Sequence, residues 1–523
     1  MIQTWRCALL RRAADCHLAS EGGSCVKTVG FLLALMGLIF LAGCTNSTSV
    51  TGQDSPTAGG TQSETAATTS YVGGQQNRIV VAYNDETNEQ QFINYAQFDR
   101  TVTAGASLMG WSYSDDGGGK WTYGGKVSPP KGWAVLWGDP ALATSGASYH
   151  VVFMSNLAVP SAKMPVGGIH GYLYYGDGRS SYIGGACIAK STDGGATFAN
   201  YQCVSNKQSV PGVPDTPQGH FYDGGSMASN SAGEVFAAYV DVATGLIDVY
   251  RSPNENGSFQ PLPTPFPKFY SVSHAKLRAS RDGSIYIAAQ VRGGDGNYYI
   301  YMNHLVNGAW GSPVAVSYAS SLYPGIDFGT TVQGSELTLR SGPQFGYDVG
   351  AASEGGNDAI RLLYTRMGSN GHLYLDASAC SAALTNCWQV TGWNFQGGGP
   401  GGSAVDTYNP DVVAWPGFIG LPPTWQASWA YHYGNANFVN VSRATLGYVN
   451  GSAFIFPVDI LQNAPVCSDT RGYWGDYDAM IQTGWQGTSS LWMRFTTDSS
   501  AGCTKRWEYT AEAQHVQQSN YSY

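Results

Sequence analysis

The sequence predicts an all-β chain built from a repeated unit of four short strands, and three observations carry that reading. The 523 residues are 43% hydrophobic and 13% aromatic but only 12% charged, and they include 68 glycines. Few charges with abundant Gly, Tyr and Trp is the composition of many short strands joined by tight turns. Seven short apolar runs recur along the chain, bounded by Gly, Asn and Asp. Two nearly superimposable polar turns, Ser114-Asp115-Asp116-Gly117-Gly118-Gly119-Lys120-Trp121 and Ser191-Thr192-Asp193-Gly194-Gly195-Ala196-Thr197-Phe198, recur as well.

The N-terminus reads as a signal and not as a strand. Val29–Leu41 is a 13-residue apolar run behind Lys27, shorter than the ~20 residues a spanning helix needs. It ends in Leu41-Ala42-Gly43-Cys44, which resembles the bacterial lipobox. That resemblance implies cleavage before Cys44, lipidation of Cys44 and attachment to a membrane outside the cytoplasm, periplasmic or surface-exposed. An ordinary signal peptide with an incidental cysteine is the alternative. Residues 1–25, with Arg6, Arg11, Arg12 and three cysteines, are unusual ahead of such a signal and read as an over-extended start. Residues 1–43 are thus a signal region. Residues 44–75 are Ser/Thr/Gly-rich and nearly free of apolar groups, the composition of a flexible tether. Residues 76–523 form the domain.

Within it the units run over about 76–128, 134–206, 219–265, 272–318, 344–395, 405–460 and 470–515, a spacing that suits propeller blades carrying loops. The seven apolar runs, Arg78–Tyr83, Tyr149–Met154, Glu234–Val240, Ser284–Ala289, Ile360–Tyr364, Gln426–Tyr431 and Ser490–Phe495, read as buried second strands. Loop lengths leave six units as the other count. The last unit is short of one strand, and residues near 68–75 could supply it and close the ring.

The two polar turns resemble Asp boxes, the Ser-x-Asp-x-Gly-x-x-aromatic hairpin signature of sialidase-like (BNR-repeat) β-propellers. Ser114, Asp116, Gly118 and Trp121 match it in the first unit, and Ser191, Asp193, Gly195 and Phe198 in the second. The resemblance implies a single propeller of four-stranded antiparallel blades with these turns on the outer hairpins, in a stabilising role. A third turn, Ser252–Phe259, is a degenerate copy, whereas Ser280-Arg281-Asp282-Gly283 reads as an ordinary turn between first and second strands. After Cys44 six cysteines remain. Cys187 and Cys203 flank the second Asp box symmetrically, so a hairpin sets them opposite one another. Cys380 pairs with Cys387 across another hairpin and Cys467 with Cys503 by elimination, among the fifteen connectivities that six cysteines allow.

Polar groups head the first strand of most units: Asp139, Asp223, His274, Asp348, Asp411, and the string Trp474-Gly475-Asp476-Tyr477-Asp478. In a propeller these positions ring the mouth of the central funnel. Carboxylates, Trp and Tyr gathered there suit a sugar, with acceptors for hydroxyls and aromatic faces for the ring. The structural alternative is that each Asp caps backbone amides and ties one blade to the next. Such a ring of oxygens also suits calcium, although nothing in the sequence specifies a metal or any other cofactor.

Sialidase chemistry, as the resemblance implies it, needs three arginines on the substrate carboxylate, a Tyr–Glu pair and an acidic Asp. Here Arg78-Ile79-Val80 stands where the family has Arg-Ile-Pro, and Arg278, Arg292, Arg361 and Arg471 sit in no recognisable motif. There is no Gly-x-Ser-x-Gly elbow. The leading expectation is therefore a monomeric cell-envelope lipoprotein whose propeller binds a carbohydrate or a protein without catalysis. The alternatives are a sialidase-like glycoside hydrolase drawing on Asp139, Asp223, Asp348, Asp411, Asp476 and Asp478, and an envelope assembly scaffold. A formal charge of −9 disfavours nucleic acid as a partner.

Overall fold

The structure is a computed structural model, and it describes residues 45–49, 62–85, 101–102, 105, 107–161, 169–170, 184–205, 222–241, 244–266, 271–280, 282–292, 298–317, 330–331, 338–339, 345–350, 359–368, 371–390, 405–415, 424–433, 438–449, 452–465, 479–483, 491–498 and 515–522. Strands and turns make up the whole of it, with no α-helix among the described residues.

Seven antiparallel sheets of four or five strands follow one another among the described residues. The first strands of successive sheets are Gln62–Val72, Trp133–Thr144, Tyr222–Ser229, Ser271–Ala279, Phe345–Val349, Val405–Trp415 and Ala479–Thr483. Each packs against the next, and the last returns to the first. The sheets therefore radiate from a central axis, a β-propeller. Six of the seven apolar runs lie in the second strand of their sheet to within one residue; in the other, Tyr149–Met154, the strand begins at Val152 and the first three residues belong to the preceding turn. Sandwiched between neighbours on both faces, these strands bury side chains without alternation: Val235–Asp241 is buried at every position. The core lies between sheets, as where Phe236, Ala238 and Val240 meet Leu277, Ile285 and Ile287.

The start of the chain departs from expectation. The segment expected as a tether contains two strands: Gln62–Val72 is the innermost strand of the first sheet, and Thr45–Ser49 is the outermost strand of the seventh, paired with His515–Ser522. The ring is closed by an N-terminal strand, but by Thr45–Ser49 and not by residues 68–75. The physical reason is crowding at the axis, where first strands converge and small residues fit. Thr65 and Ser70 are almost wholly buried, so a Ser/Thr/Ala sequence that looks solvated is interior here.

The two turns that resemble Asp boxes each close on their own hydrogen bonds. Ser191 Oγ donates to Asp193 Oδ1 at 2.7 Å, accepts from the Gly195 amide at 2.7 Å, and Asp193 Oδ1 accepts from the Thr197 amide at 3.0 Å. Ser114, Asp116, Gly118 and Lys120 repeat this set. Burial pushes the Asp116 and Asp193 carboxyls up, but these hydrogen bonds outweigh it and hold both below the usual carboxylate range. Gly118 and Gly195 supply φ values of 91° and 90°, while Trp121 is buried and Phe198 packs edge-on against Trp111 at 5.5 Å.

These turns also tie sheet to sheet. Arg78, 8% exposed, grips Asp115 through Nε at 2.6 Å and Nη2 at 3.1 Å, and donates to the Asp193 carbonyl at 2.6 Å. The degenerate copy does likewise, with Glu255 accepting from Ser145 Oγ and from the Ser148 amide of the preceding sheet. Ser280–Gly283 is the ordinary turn expected, closed by the Gly283 amide on the Ser280 carbonyl. Two disulfides join facing residues of third and fourth strands, Cys187–Cys203 and Cys380–Cys387. Cys44, Cys467 and Cys503 lie outside the described residues.

Candidate functional site: the central channel

First strands from all seven sheets line one cavity of about 480 Å³ on the axis. Its wall is built largely of small residues of mixed polarity, with Thr65 to Thr69, Ala141, Gly224, Gly225 and Ala414. The ionisable groups come from one side: His274, Lys276 and Arg278 of the fourth sheet face Asp348 and Asp411 of the fifth and sixth. Alternate residues of a strand share a face, so His274, Lys276 and Arg278 form a row along the channel.

The carboxylates are held by backbone. Asp348 accepts from the Val349 amide at 2.9 Å and, through its other oxygen, from Ala414 of the next sheet at 2.7 Å. Asp411 accepts from Val412 at 3.0 Å and from Met480 of the next sheet at 3.1 Å. Asp139 does the same with Gly224 at 3.3 Å. Ser226 Oγ takes the Leu277 amide at 2.8 Å in an equivalent link. Bulges aim these side chains sideways: register shifts interrupt the first strands between Gly138 and Ala141, Asp223 and Gly225, and Tyr408 and Asp411. Asp139 and Asn409, each before a proline, take φ of 51° and 48°. Asp223 turns onto the Gly224 amide at 2.9 Å.

Electrostatics divides the row. Arg278 donates to the carbonyls of Tyr347 and Leu277 at 3.2 and 3.1 Å and lies 3.7 Å from Asp411. Burial disfavours its charge, but Asp411 and Asp348 outweigh that and raise its pKa. Burial also raises the Asp348 carboxyl, against the pull of Arg278 and of its two amides. Lys276 Nζ stands 3.9 Å from Asp411. Burial pushes the His274 imidazole down to about 4, Lys276 adding to the effect and Asp223 opposing it. His274 is therefore neutral at physiological pH. It is 5% exposed, and its Nδ1 has no hydrogen-bond partner.

Of the residues singled out in the sequence, His274, Asp348 and Asp411 line the channel, and Asp139 and Asp223 border it through Gly224. Trp474, Asp476, Tyr477 and Asp478 lie outside the described residues. Among the described residues no Trp or Tyr lines the cavity, and Trp137 is 5% exposed within the core between sheets. The arginines do not gather either among the described residues, outside which Arg471 lies. Arg278 is in the channel, Arg361 is buried beneath Trp425 with 5.8 Å between guanidinium and ring, and Arg292 is exposed. Lys276 is the channel residue that sequence reasoning passed over. Its signal was the alternation His274-x-Lys276-x-Arg278 on a first strand. Groups of three or more His, Cys, Asp or Glu placed to hold a metal ion do not occur among the described residues.

No protein-family model matches the chain, and no curated protein matches it. Among solved structures it is similar to an α-L-arabinofuranosidase from Fusarium graminearum, at 10% identity, covering 88% of this chain and 97% of that one, with a TM-score of 0.40. It is also similar to the intramolecular trans-sialidase from Ruminococcus gnavus, at 9% identity over 87% of this chain and 93% of that one, TM-score 0.39. A Hadza microbial sialidase gives 9% identity over 79% of this chain and 73% of that one, TM-score 0.39.

Proposed function

We propose that the protein binds a carbohydrate in its central channel without hydrolysing it, and that it does so outside the cytoplasm from a lipid anchor at Cys44. One observation carries the non-catalytic part. Both oxygens of Asp348 and of Asp411 accept main-chain amides, one from the following residue of the same strand and one from the first strand of the next sheet. A general acid or nucleophile has to change its bonding during each turnover, and here that change would loosen the ring. What the channel offers a ligand is the two cations Lys276 and Arg278 beside the neutral His274 ring and small side chains, in a cavity sized for one or two sugar rings. Two disulfides in facing strands accord with an oxidising compartment.

The test is a glycan array run beside a panel of fluorogenic glycosides. The protein should be produced as the whole domain with Thr45–Ser49 retained, since that strand closes the seventh sheet. Binding without turnover supports the reading. Turnover abolished by Asp348→Asn or Asp411→Asn makes the protein a glycoside hydrolase, and silence in both assays favours a scaffold. For the anchor, Cys44→Ser should release the protein from membranes; undiminished retention would contradict the assignment.

A further inference from the structure

The face opposite the channel mouth carries a second feature. First-to-second-strand turns and Asp-box turns lie together there, as the Gly194 amide bonding the His150 carbonyl at 2.9 Å shows. The turn Ser145–His150 ends in Tyr149, which is 47% exposed. Among the described residues only Val306 is another large hydrophobic side chain so exposed. Tyr149 also has φ of +60°, a conformation that crowds Cβ against the carbonyl and that Gly or Asn adopts far more readily. The backbone is fixed there from both sides: the Tyr149 amide donates to the Ser145 carbonyl at 2.9 Å, and its carbonyl accepts from the Tyr71 amide of the first sheet at 2.7 Å. Tyr71 and Tyr149 stand 5.1 Å apart between ring centroids, tilted by 48°.

Neither the turn nor the core asks for tyrosine at this position. The turn favours Asn or Gly, and half of the side chain stays in water. Strain that is retained at an exposed aromatic points to a contact with something outside the chain. The surroundings narrow the choice. Exposed His150 and the Asp193 and Gly194 turn make the margin polar, and the apolar surface is the ring pair with part-exposed Val72 beside Gly194. A stable protein interface buries on the order of 1,200–2,000 Å² around an apolar centre, far more than this patch provides. One pyranose ring, apolar on its face and hydroxylated at its rim, matches both size and polarity.

We propose that Tyr149, backed by Tyr71, is a surface platform that stacks one sugar ring of a polysaccharide, separate from the channel and independent of what the channel binds. The test is affinity electrophoresis of the full chain in gels containing xylan, arabinan, hydroxyethylcellulose or glycol chitosan, with melting temperatures measured in parallel. Wild type and Tyr149→Phe should be retarded in at least one gel. Tyr149→Asn should weaken that retardation roughly tenfold, a loss of one good contact, while melting at the same temperature or higher because its backbone is relaxed. The proposal is overturned if no gel retards the wild type, if Tyr149→Asn binds as well as wild type, if Tyr149→Phe loses binding, or if Tyr149→Asn melts several degrees lower, which would make the ring structural.

Discussion

At His274 a single buried imidazole links stability to pH. Its ordinary value is 6.5 and its folded value about 4, set by burial and by Lys276 against Asp223. The folded state refuses a proton that the unfolded chain accepts. Stability from this group is whole above pH 6.5, falls as pH drops from 6.5 toward 4, and changes no further below that. The total is about 3 kcal/mol at one pKa unit per 1.4 kcal/mol. His274→Gln is expected to flatten the stability profile between pH 6.5 and 4, read from chemical denaturation at stepped pH; an unchanged slope would contradict the burial of the ring. Asp116 and Asp193 act lower on the scale, because their folded values lie below 3.8. Their contribution is present above pH 3.8 and disappears as pH falls through the folded values. The Asp boxes were legible in the sequence because their chemistry is local: Ser, Asp and Gly within five residues bond one another. The role of Asp348 as a tie between sheets was legible from the recurrence of carboxylates at first strands, but its partner was not, since Ala414 lies 66 residues away and spacing carries no trace of it.

Among elements, the hairpins tie sheet to sheet at the periphery. Arg78 joins the first sheet to the Asp boxes of the first and second. Arg78→Lys keeps the charge and loses the two-pronged grip on Asp115, for an expected cost of about 2 kcal/mol, measurable as a lower denaturant midpoint with the slope unchanged. The bridge Cys187–Cys203 closes a loop of sequence separation 16. Its removal in a Cys187→Ala, Cys203→Ala double variant should cost about 3 kcal/mol by the loop-entropy relation. The second strands were the easiest elements to find in sequence, because burial on both faces writes an unbroken apolar run. Gln62–Val72 was the hardest. The axis demands small residues, and Ser, Thr and Ala are also what a solvated tether uses, so composition points to the wrong environment.

The molecule as a whole depends on closure. Thr45–Ser49 covers the open edge of His515–Ser522 without a covalent link to that sheet. Deleting residues up to 49 should expose that edge, lower the melting temperature and bring concentration-dependent aggregation; a truncated chain that melts and sediments like the intact one would contradict the closure. The same ring creates the channel, and the proposal that it binds without catalysis rests on the inter-sheet carboxylates. The most direct test of that claim is the rate of hydrolysis and the affinity measured together for whichever glycan the array identifies, in wild type and in His274→Gln, Asp348→Asn and Asp411→Asn. The account predicts binding with no turnover, weakened about tenfold or more by His274→Gln, with the two Asp variants losing stability. Turnover in the wild type that vanishes in a folded Asp348→Asn or Asp411→Asn would contradict it.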